Sequence, residues 1–384
     1  MLRVLAGDLS ATFNIDGLHL ERYVKRQTDV VRSLSDQLLL HDQILIPTQD
    51  YLTAAGLVRI LGEHNVLKLL EEDRLRFVRM RGAFGYARGT GLDGRLVAFN
   101  DPTNRLAASS SIRASIEAGV GAIKTELHDR NRLLQLLHAQ SVELELSSVV
   151  DATHRDAYAD LSQTVLWKKQ YRNRNPDLLE LPRVPKMGVR VLGPTTDVSN
   201  SAVDACLALG LMNIELYLAK QYDCASSSTG SPIGDCVSLK IPRLMHHRGA
   251  RPALWNFLEV TAVPDISGPL LANSAEMTKF IDLTSRADAQ AFRQWFHDNA
   301  HLTDKELLKA YINVLHDTPW IQSKVGRALR MVTSLAIGGI GEFALEAAAS
   351  VVDSFVVDKF ARSRNAKFFM EDFRKFSGRI KSSE

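Results

Sequence analysis

The start of the chain alternates between short apolar runs and segments in which apolar residues recur at helical spacing. The run MLRVLAG and the run QILIP, which ends at Pro47, are compact and predict short buried strands. Between them, apolar residues recur every three or four positions, which predicts a helix over residues 17–41. Two more helices are predicted around residues 51–61 and 66–71. This order of elements indicates an α/β arrangement for the N-terminal part.

The middle of the chain begins with LRFVRMRGAFGYARGTGLDGRLVAFND, which alternates and turns like a small β-meander. Helices are predicted next around residues 112–140 and 147–158. A strand at GVRVLGP, a buried helix at SNSAVDACLALGLMNIELYLAKQYD and a low-propensity loop at CASSSTGSPIGDC follow. From about residue 251 onward the pattern is almost wholly helical. The predicted fold class is α+β and helix-dominated, with an N-terminal α/β part that carries the small β-meander and a C-terminal all-helical part.

The length of the chain, 384 residues, favours two domains over one. The first is expected at residues 1–250, as a mixed α/β domain with a helical insertion at about 107–190. The second, residues 251–384, is expected to be helical and to end in an apolar Gly-containing helix and a basic Phe-rich tail. Hydrophobic residues make up 45% and charged residues 24% of the chain, which is typical of globular proteins.

Charge and cysteine content narrow the classes of function. The net charge of +3 is too small to indicate nucleic-acid binding by itself. The cysteines, Cys206, Cys224 and Cys236, lack the tight C-x₂₋₄-C pair of structural zinc sites, so no metal site is predicted from them. So few cysteines in a chain of this length indicate a reducing compartment. No apolar segment of secretory length precedes Asp8, so the expected localisation is cytoplasmic.

The segment SLAIGGIGEFALEAAASVVDSFVVDKF, residues 334–360, raises the question of membrane insertion. A transmembrane helix needs about 20 consecutive, mostly apolar residues. Here the uncharged run from Met331 ends at Gly341, and acidic residues follow. On a helix, these acids fall within about 80° of arc and form one narrow polar stripe. A simple lipid-facing span is therefore not expected.

Three interpretations of this segment remain. It is a helix buried in the C-terminal domain, a buried oligomer interface, or a helix that enters a membrane in an oligomer and turns its acids toward a water-filled lumen. The glycines favour close helix approach or a bend in each case. The residues assigned to this membrane or oligomer helix are Gly338, Gly339, Gly341, Glu342, Glu346, Asp353 and Phe355.

Two clusters of basic residues could attract anionic partners. The tail from Lys359 to Glu384 has eight basic residues interleaved with phenylalanines, which suits an anionic lipid surface or single-stranded nucleic acid. An amphipathic last helix with its Phe face packed inward is the alternative. The segment LWKKQYRNRNPDLLELPRVPKMGVR could contact phosphates, or be a charged helix face that leads into a Pro-punctuated linker. The basic residues assigned to these patches are Lys168, Lys169, Arg172, Arg174, Arg374 and Lys375.

Acidic residues follow the predicted strands in a pattern that resembles PIN-like nucleases. Asp8 comes just after the first strand, Asp50 just after the second, Asp204 at the start of a helix, and Asp235 in the Ser-rich loop. The resemblance implies a fold that collects carboxylates from the ends of separate strands to hold Mg²⁺. In that case Asp8, Asp50, Asp204 and Asp235 would be the catalytic residues.

His-Asp pairs recur along the chain, as in phosphohydrolases of the HD class, and His41-Asp42 and His297-Asp298 are two of them. Adjacent residues on a helix do not face one another, and none of the pairs is accompanied by the further His and Asp of that class. HD-type chemistry is therefore not the expectation.

Two longer stretches resemble a broad set of uncharacterised bacterial proteins, some of them encoded near phage-defence genes. One is LLLHDQILIPTQDYLTAAGLVRILG, and the other extends from VPDISGPLLANSAEMTKFIDLTSRADAQAFRQWF to AAASVVDSFVVDKF. The resemblance is carried by Pro264-Asp265, Arg286, Phe292-Arg293-x-Trp295 and Asp353-Ser354-Phe355. It implies a role in bacterial conflict and no particular reaction.

The leading hypothesis is a non-catalytic bacterial defence-type sensor or effector. Its N-terminal part would bind a partner, and its C-terminal helices would oligomerise or engage a membrane on activation. The expected partner is a second copy of the chain or another protein, with an anionic membrane surface and nucleic acid as further candidates. No cofactor is expected. The alternative is a PIN-like nuclease that uses Mg²⁺, and a purely structural subunit is the third option.

Overall fold

The computed structural model shows a chain made of two units, residues 1–37 with 43–246 and residues 38–42 with 247–384. The residues that it describes are 1–10, 20–89, 92–99, 111–162, 191–192, 200–228, 266–299 and 364–381. The helix-dominated α+β class predicted from the sequence is confirmed.

The described residues form the following elements. In chain order the strands are β1 (Arg3–Ala6), β2 (Gln43–Thr48), β3 (Leu75–Arg81), β4 (Ala83–Gly89), β5 (Leu92–Phe99), β6 (Ser141–Glu145), β7 (Val191–Leu192) and β8 (Ser226–Ser228). The helices are α1 (Leu20–Lys25), α2 (Gln27–Leu40), α3 (Leu52–Leu61), α4 (Glu63–Glu71), α5 (Ile112–Gly121), α6 (Arg130–Ala139), α7 (Leu146–Ser162), α8 (Asn200–Gln221), α9 (Ser267–Ala272), α10 (Ser274–Ser285), α11 (Ala287–Asn299) and α12 (Arg364–Lys381). A 3₁₀ turn, Gly7–Leu9, follows β1.

The first unit is built on a parallel sheet with the strand order β6-β3-β2-β1-β8. Every residue of β2 is buried, as expected of a central strand with both faces covered. The strands predicted at the start of the chain and at QILIP are therefore confirmed. The chain places β2, β3 and β6 in turn on one side of β1, then returns to place β8 on the other side. The order thus reverses at β1, and such a switch point leaves a crevice at the carboxyl ends of the strands.

The small β-meander is only partly present. Strands β4 and β5 form an antiparallel hairpin, with β7 pairing in parallel to β4, while β3 belongs to the parallel sheet. Helix α8 joins both sheets to one apolar core. At Gly210 an added Cβ would lie 2.5 Å from Cζ of Phe84, so α8 approaches the hairpin more closely than a side chain there would allow. The core cluster includes Leu5, Val78, Phe84, Leu96, Met212 and Leu218.

Three sequence-based boundaries in this unit differ from the structure. The helix predicted at 112–140 is two helices, because α5 ends at Gly121 and Asp129 caps a new helix by accepting a hydrogen bond from the backbone N–H of Arg132. The predicted helical insertion contains β6, which pairs with β3. The Ser-rich loop begins with β8, whose backbone hydrogen bonds to β1 outweigh the poor strand propensity of serine.

In the second unit, the described helices pack around a phenylalanine core. Phe369, Phe373 and Phe376 of α12 are buried. The ring centroid of Phe369 lies 5.1 Å from that of Phe292 on α11, and Phe373 lies 6.3 Å from Phe280 on α10. Phe369, Phe373 and Phe376 are thus packed inward, as the interpretation of an amphipathic last helix expects. Contact of the tail with an anionic lipid surface stays a prediction.

Candidate metal centre

The turn after β1 presents Asp8 at the switch point of the parallel sheet. The backbone N–H of Ser10 donates to the carbonyl of Gly7 over 3.0 Å and closes the turn. The hydroxyl of Tyr23, on α1, donates to the carbonyl of Leu9 over 2.8 Å. The hydroxyl of Ser33, on α2, donates to Oδ2 of Asp8 over 2.5 Å. Asp8 as a residue is only half-buried, but Oδ1 of its carboxylate is buried.

A second carboxylate, that of Glu215 on α8, lies beside this turn. Glu215 is 1% exposed, and neither of its carboxyl oxygens has a hydrogen-bond partner among the residues that the structure describes. An added Cβ on Gly7 would lie 2.5 Å from Oε1 of Glu215 and 3.4 Å from the carbonyl oxygen of Ser228. The carboxylate therefore occupies the space that a side chain at position 7 would fill, next to the end of β8.

The charge of Asp8 acts on two buried side chains beside it. Burial raises the pKa of Glu215 well above its usual range, and the negative charge of Asp8 raises it further. Burial also raises the pKa of Tyr23 strongly, and Asp8 again adds to the effect. The charge of Asp8 therefore reaches both neighbours.

Such a pair of carboxylates is suited to share a positive charge. Burying an ionised carboxylate without partners costs several kcal/mol, so the pair is stable when it holds either a proton or a cation between its oxygens. Mg²⁺ and Mn²⁺ prefer hard oxygen ligands, and Mg²⁺ is commonly held by one or two carboxylates and several waters. No group of three or more His, Cys, Asp or Glu side chains converges on a metal position within the described ranges. Asp8 and Glu215 fit a cation that keeps part of its water shell.

Asp50, predicted to join Asp8, faces a different environment. Its Oδ1 accepts a hydrogen bond of 2.9 Å from the backbone N–H of Leu52, and its Oδ2 is buried without a hydrogen-bond partner among the described residues. Burial raises the pKa of Asp50 to about 6, against the opposing effects of the Leu52 N–H and of Arg79. Arg79 is fully buried in β3 and forms an ion pair with Glu143 of β6. Asp50 is therefore buried within electrostatic reach of Arg79.

The other two predicted acids are not described beside this pair. Asp204 lies on α8, 11 positions before Glu215. At 1.5 Å per residue this is about 16 Å along the helix axis, too far to share one cation with Glu215. Asp235 lies outside the described residues. The candidate pair therefore keeps Asp8 from the sequence prediction and has Glu215, on the same helix as Asp204, as its second acid.

Glu215 left a signal in the sequence that the prediction did not use. It is the only acidic or basic residue in the stretch LALGLMNIELYLA, where Asn213 and Tyr217 are the other polar residues. A lone acid on a buried helix has to be neutralised, paired or bound to a metal. Without the fold, however, nothing indicated which residue it would meet.

Most residues of the predicted membrane or oligomer helix and of the basic patches lie outside the described part of the chain. Gly338, Gly339, Gly341, Glu342, Glu346, Asp353 and Phe355, and the basic residues Lys168, Lys169, Arg172 and Arg174, lie outside the described residues. On α12, Lys375 is exposed and its Nζ lies 3.7 Å from Oδ1 of Asp372, while Arg374 is half-buried. No helix in the described part of the chain is long and apolar enough to cross a membrane.

Arg293, one of the residues from which a resemblance to bacterial proteins was inferred, has structural contacts. Arg293 is buried, and its Nε donates to Oδ1 of Asp42 over 2.7 Å while its Nη1 donates to the carbonyl of Thr284 over 2.8 Å. His297 Nε2 lies 3.0 Å from the carbonyl oxygen of Leu40, which requires the N–H tautomer at that nitrogen. These bonds tie residues 38–42 to α11. Arg293 and the two His-Asp pairs therefore stabilise the second unit, and no metal-binding set of His and Asp forms there among the described residues.

Comparisons with protein-family models, characterised proteins and solved structures give no match to the chain. The functional argument therefore rests on the parallel sheet and on the buried Glu215 carboxylate beside Asp8 at its switch point.

Proposed function

We propose that Asp8 and Glu215 bind a divalent cation of the Mg²⁺ or Mn²⁺ type, and that the protein hydrolyses phosphodiester bonds of nucleic acid. The observation that supports this most directly is the Glu215 carboxylate, which is buried beside Asp8 with both oxygens free of hydrogen-bond partners among the described residues. Natural proteins rarely leave a buried acid in this state unless a ligand compensates it.

The position of the pair in the fold adds support. It lies at the carboxyl end of β1, where the strand order reverses and where ligands of open parallel sheets are commonly bound. Asp8 is half-buried and Glu215 is buried, so Glu215 would be the deeper of the two ligands. A cation held there would supply Lewis-acid activation of a phosphate and of a water nucleophile.

The choice of nucleic acid as substrate rests on the resemblance of the Asp8 region to PIN-like nucleases. In that class, too, an acid directly after the first strand holds the cation. The role of Asp204 implied by the resemblance passes to Glu215 in this proposal, and Asp50 takes no part in it.

The proposal is tested by a Mn²⁺ titration of the full-length protein and by cleavage of fluorescently labelled single-stranded RNA and DNA. Wild-type protein should bind Mn²⁺ and cleave at least one substrate, and Asp8→Asn and Glu215→Gln should each lose both properties. Asp50→Asn is the matched control, because it neutralises a buried acid at the end of the neighbouring strand. Wild-type protein that binds no Mn²⁺ would overturn the proposal.

The sensor or effector hypothesis stays a prediction. Its main support is the segment 334–360, which lies outside the described residues. Cytoplasmic localisation and membrane association on activation likewise stay predictions.

A further inference from the structure

One hydroxyl group outside the carboxylate pair is directed at Asp8. Ser33 lies on α2, is 5% exposed, and donates from Oγ to Oδ2 of Asp8 over 2.5 Å. This distance is typical of a hydrogen bond from a hydroxyl to an ionised carboxylate, which is stronger than a bond between neutral groups. Because Ser33 and Asp8 lie on separate elements, the bond fixes the carboxylate relative to α2.

The neighbouring serine on the same helix shows that this contact is specific. Ser35 is 4% exposed, and its Oγ donates to the carbonyl of Val31, four residues earlier, over 2.7 Å. That bond is the ordinary way in which a helical serine satisfies its hydroxyl. Ser33 directs its proton to Asp8 instead.

The backbone around Asp8 is held from a second side. The ring of Tyr23 is buried against α3, where an added Cβ on Gly56 would lie 2.2 Å from Cδ1 of the ring, and its hydroxyl binds the carbonyl of Leu9. The turn is therefore anchored through its backbone by α1, and the carboxylate of Asp8 is oriented separately by Ser33.

We propose that Ser33 is a positioning residue for the Asp8 carboxylate and thereby sets the affinity of the site for its divalent cation. This inference rests on the proposed function, because it requires that Asp8 binds a cation. By holding Oδ2, the Ser33 hydroxyl restricts rotation of the carboxylate about its χ2 angle. The carboxylate then does not have to be ordered when the cation binds. Hydrogen-bond partners of metal ligands typically contribute 10- to 100-fold to metal affinity.

The test compares Mn²⁺ affinity in wild-type protein, Ser33→Ala, Ser33→Thr and Ser35→Ala, all full-length. Ser33→Ala should bind Mn²⁺ about 10-fold more weakly or worse. Ser33→Thr keeps the hydroxyl and should restore most of the affinity. Ser35→Ala removes an equally buried hydroxyl two residues away and should leave the affinity unchanged. If cleavage is observed, Ser33→Ala should need more Mn²⁺ for half-maximal rate and approach the wild-type rate at saturation.

The outcomes separate this inference from the proposed function. If wild-type protein binds Mn²⁺ and Ser33→Ala binds it equally well, the positioning role is wrong and the metal site stands. If wild-type protein binds no Mn²⁺, both fail. If Ser33→Ala does not fold, Ser33→Cys keeps the volume with a much weaker donor, and unchanged affinity in that variant would overturn the role of Ser33.

Discussion

The carboxylate of Glu215 lies directly over the Cα of Gly7, where an added methyl group would be 2.5 Å from Oε1. The backbone of Gly7 does not have a positive φ, so its conformation is open to other residues. Glycine is required here because a side chain would overlap with the Glu215 carboxylate. The position after β1 therefore depends on an acid that lies about two hundred residues later in the chain.

Gly7→Ala should displace the Glu215 carboxylate and weaken the site. We expect Mn²⁺ affinity to fall at least 10-fold, because one of two carboxylates moves, and stability to fall by about 1–3 kcal/mol from overpacking. Calorimetric titration and denaturant unfolding measure the two effects.

The control for this variant is Gly121→Ala in α5, where an added Cβ meets nothing within 4 Å. It should keep Mn²⁺ affinity and should not be destabilised, because alanine is a better helix former than glycine. Wild-type affinity in Gly7→Ala would show that Glu215 is not a ligand.

Asp50→Asn should change the pH dependence of stability and leave metal binding intact. The pKa of Asp50 is about 6 in the folded protein and near 4 when unfolded. Between these pH values the folded state holds a proton that the unfolded state lacks. The contribution of Asp50 to the free energy of unfolding therefore decreases as pH rises, by roughly 3 kcal/mol in all. The variant cannot ionise. Its free energy of unfolding should therefore increase relative to wild type between pH 4 and 6, as measured by denaturant unfolding across that range.

Loss of Mn²⁺ binding in Asp50→Asn would instead make Asp50 a ligand, as the sequence pattern predicted. A constant difference in stability from pH 4 to 6 would show that its pKa is not raised.

Two ion pairs between β3 and β6 should differ in their contribution to stability. Arg79 is fully buried and pairs with Glu143, whereas Arg81 and Glu145, two residues further along, are both more than 40% exposed. Glu143→Gln should lower the free energy of unfolding by about 2–3 kcal/mol, because the buried charge of Arg79 loses its carboxylate partner. Glu145→Gln should cost less than about 1 kcal/mol. Equal effects in denaturant unfolding would contradict the burial of Arg79.

Phe369 should be essential to the second unit. It is fully buried between Phe292 of α11 and Phe373 of its own helix. Phe369→Ala should lower stability by about 3–5 kcal/mol, the usual cost of a large cavity in a core. Lys375→Ala, at an exposed position of the same helix, should change it by less than about 0.5 kcal/mol. If the free energy of unfolding of Phe369→Ala equals that of the wild type, α12 is not packed on this core.

The membrane hypothesis for residues 334–360 calls for a deletion that keeps α12. Removing the whole C-terminal end would also remove Phe369 and Phe373 from the core, so loss of membrane binding could reflect misfolding. Deletion of 334–360 alone avoids this. If the segment engages membranes, the full-length protein should float with anionic liposomes and release dye from them, and the deletion variant should do neither. Equal liposome binding and dye release by the two proteins would show that residues 334–360 do not mediate membrane association.

Local patterns were sufficient for much of the fold. A continuous apolar run identified β2, helical spacing identified α3 and α4, and Asp8 was recognised because it follows β1 directly. These features depend on neighbours in the chain, where periodicity and capping act. The sequence also indicated that the basic Phe-rich tail is an amphipathic helix. Its pattern could not show whether the phenylalanines contact a protein core or a lipid surface.

Local sequence patterns predicted the class of fold, the central strands and one acid of the candidate site. The three-dimensional arrangement was needed to show that Ser33 donates to Asp8 and that the charge of Asp8 acts on Glu215. It was also needed to show that Ser226–Ser228 completes the sheet beside β1 and that Phe369 is buried. The physical reason is the same in each case. These outcomes depend on burial and on contacts between residues far apart in the chain, and such contacts override the local preferences that a sequence pattern records.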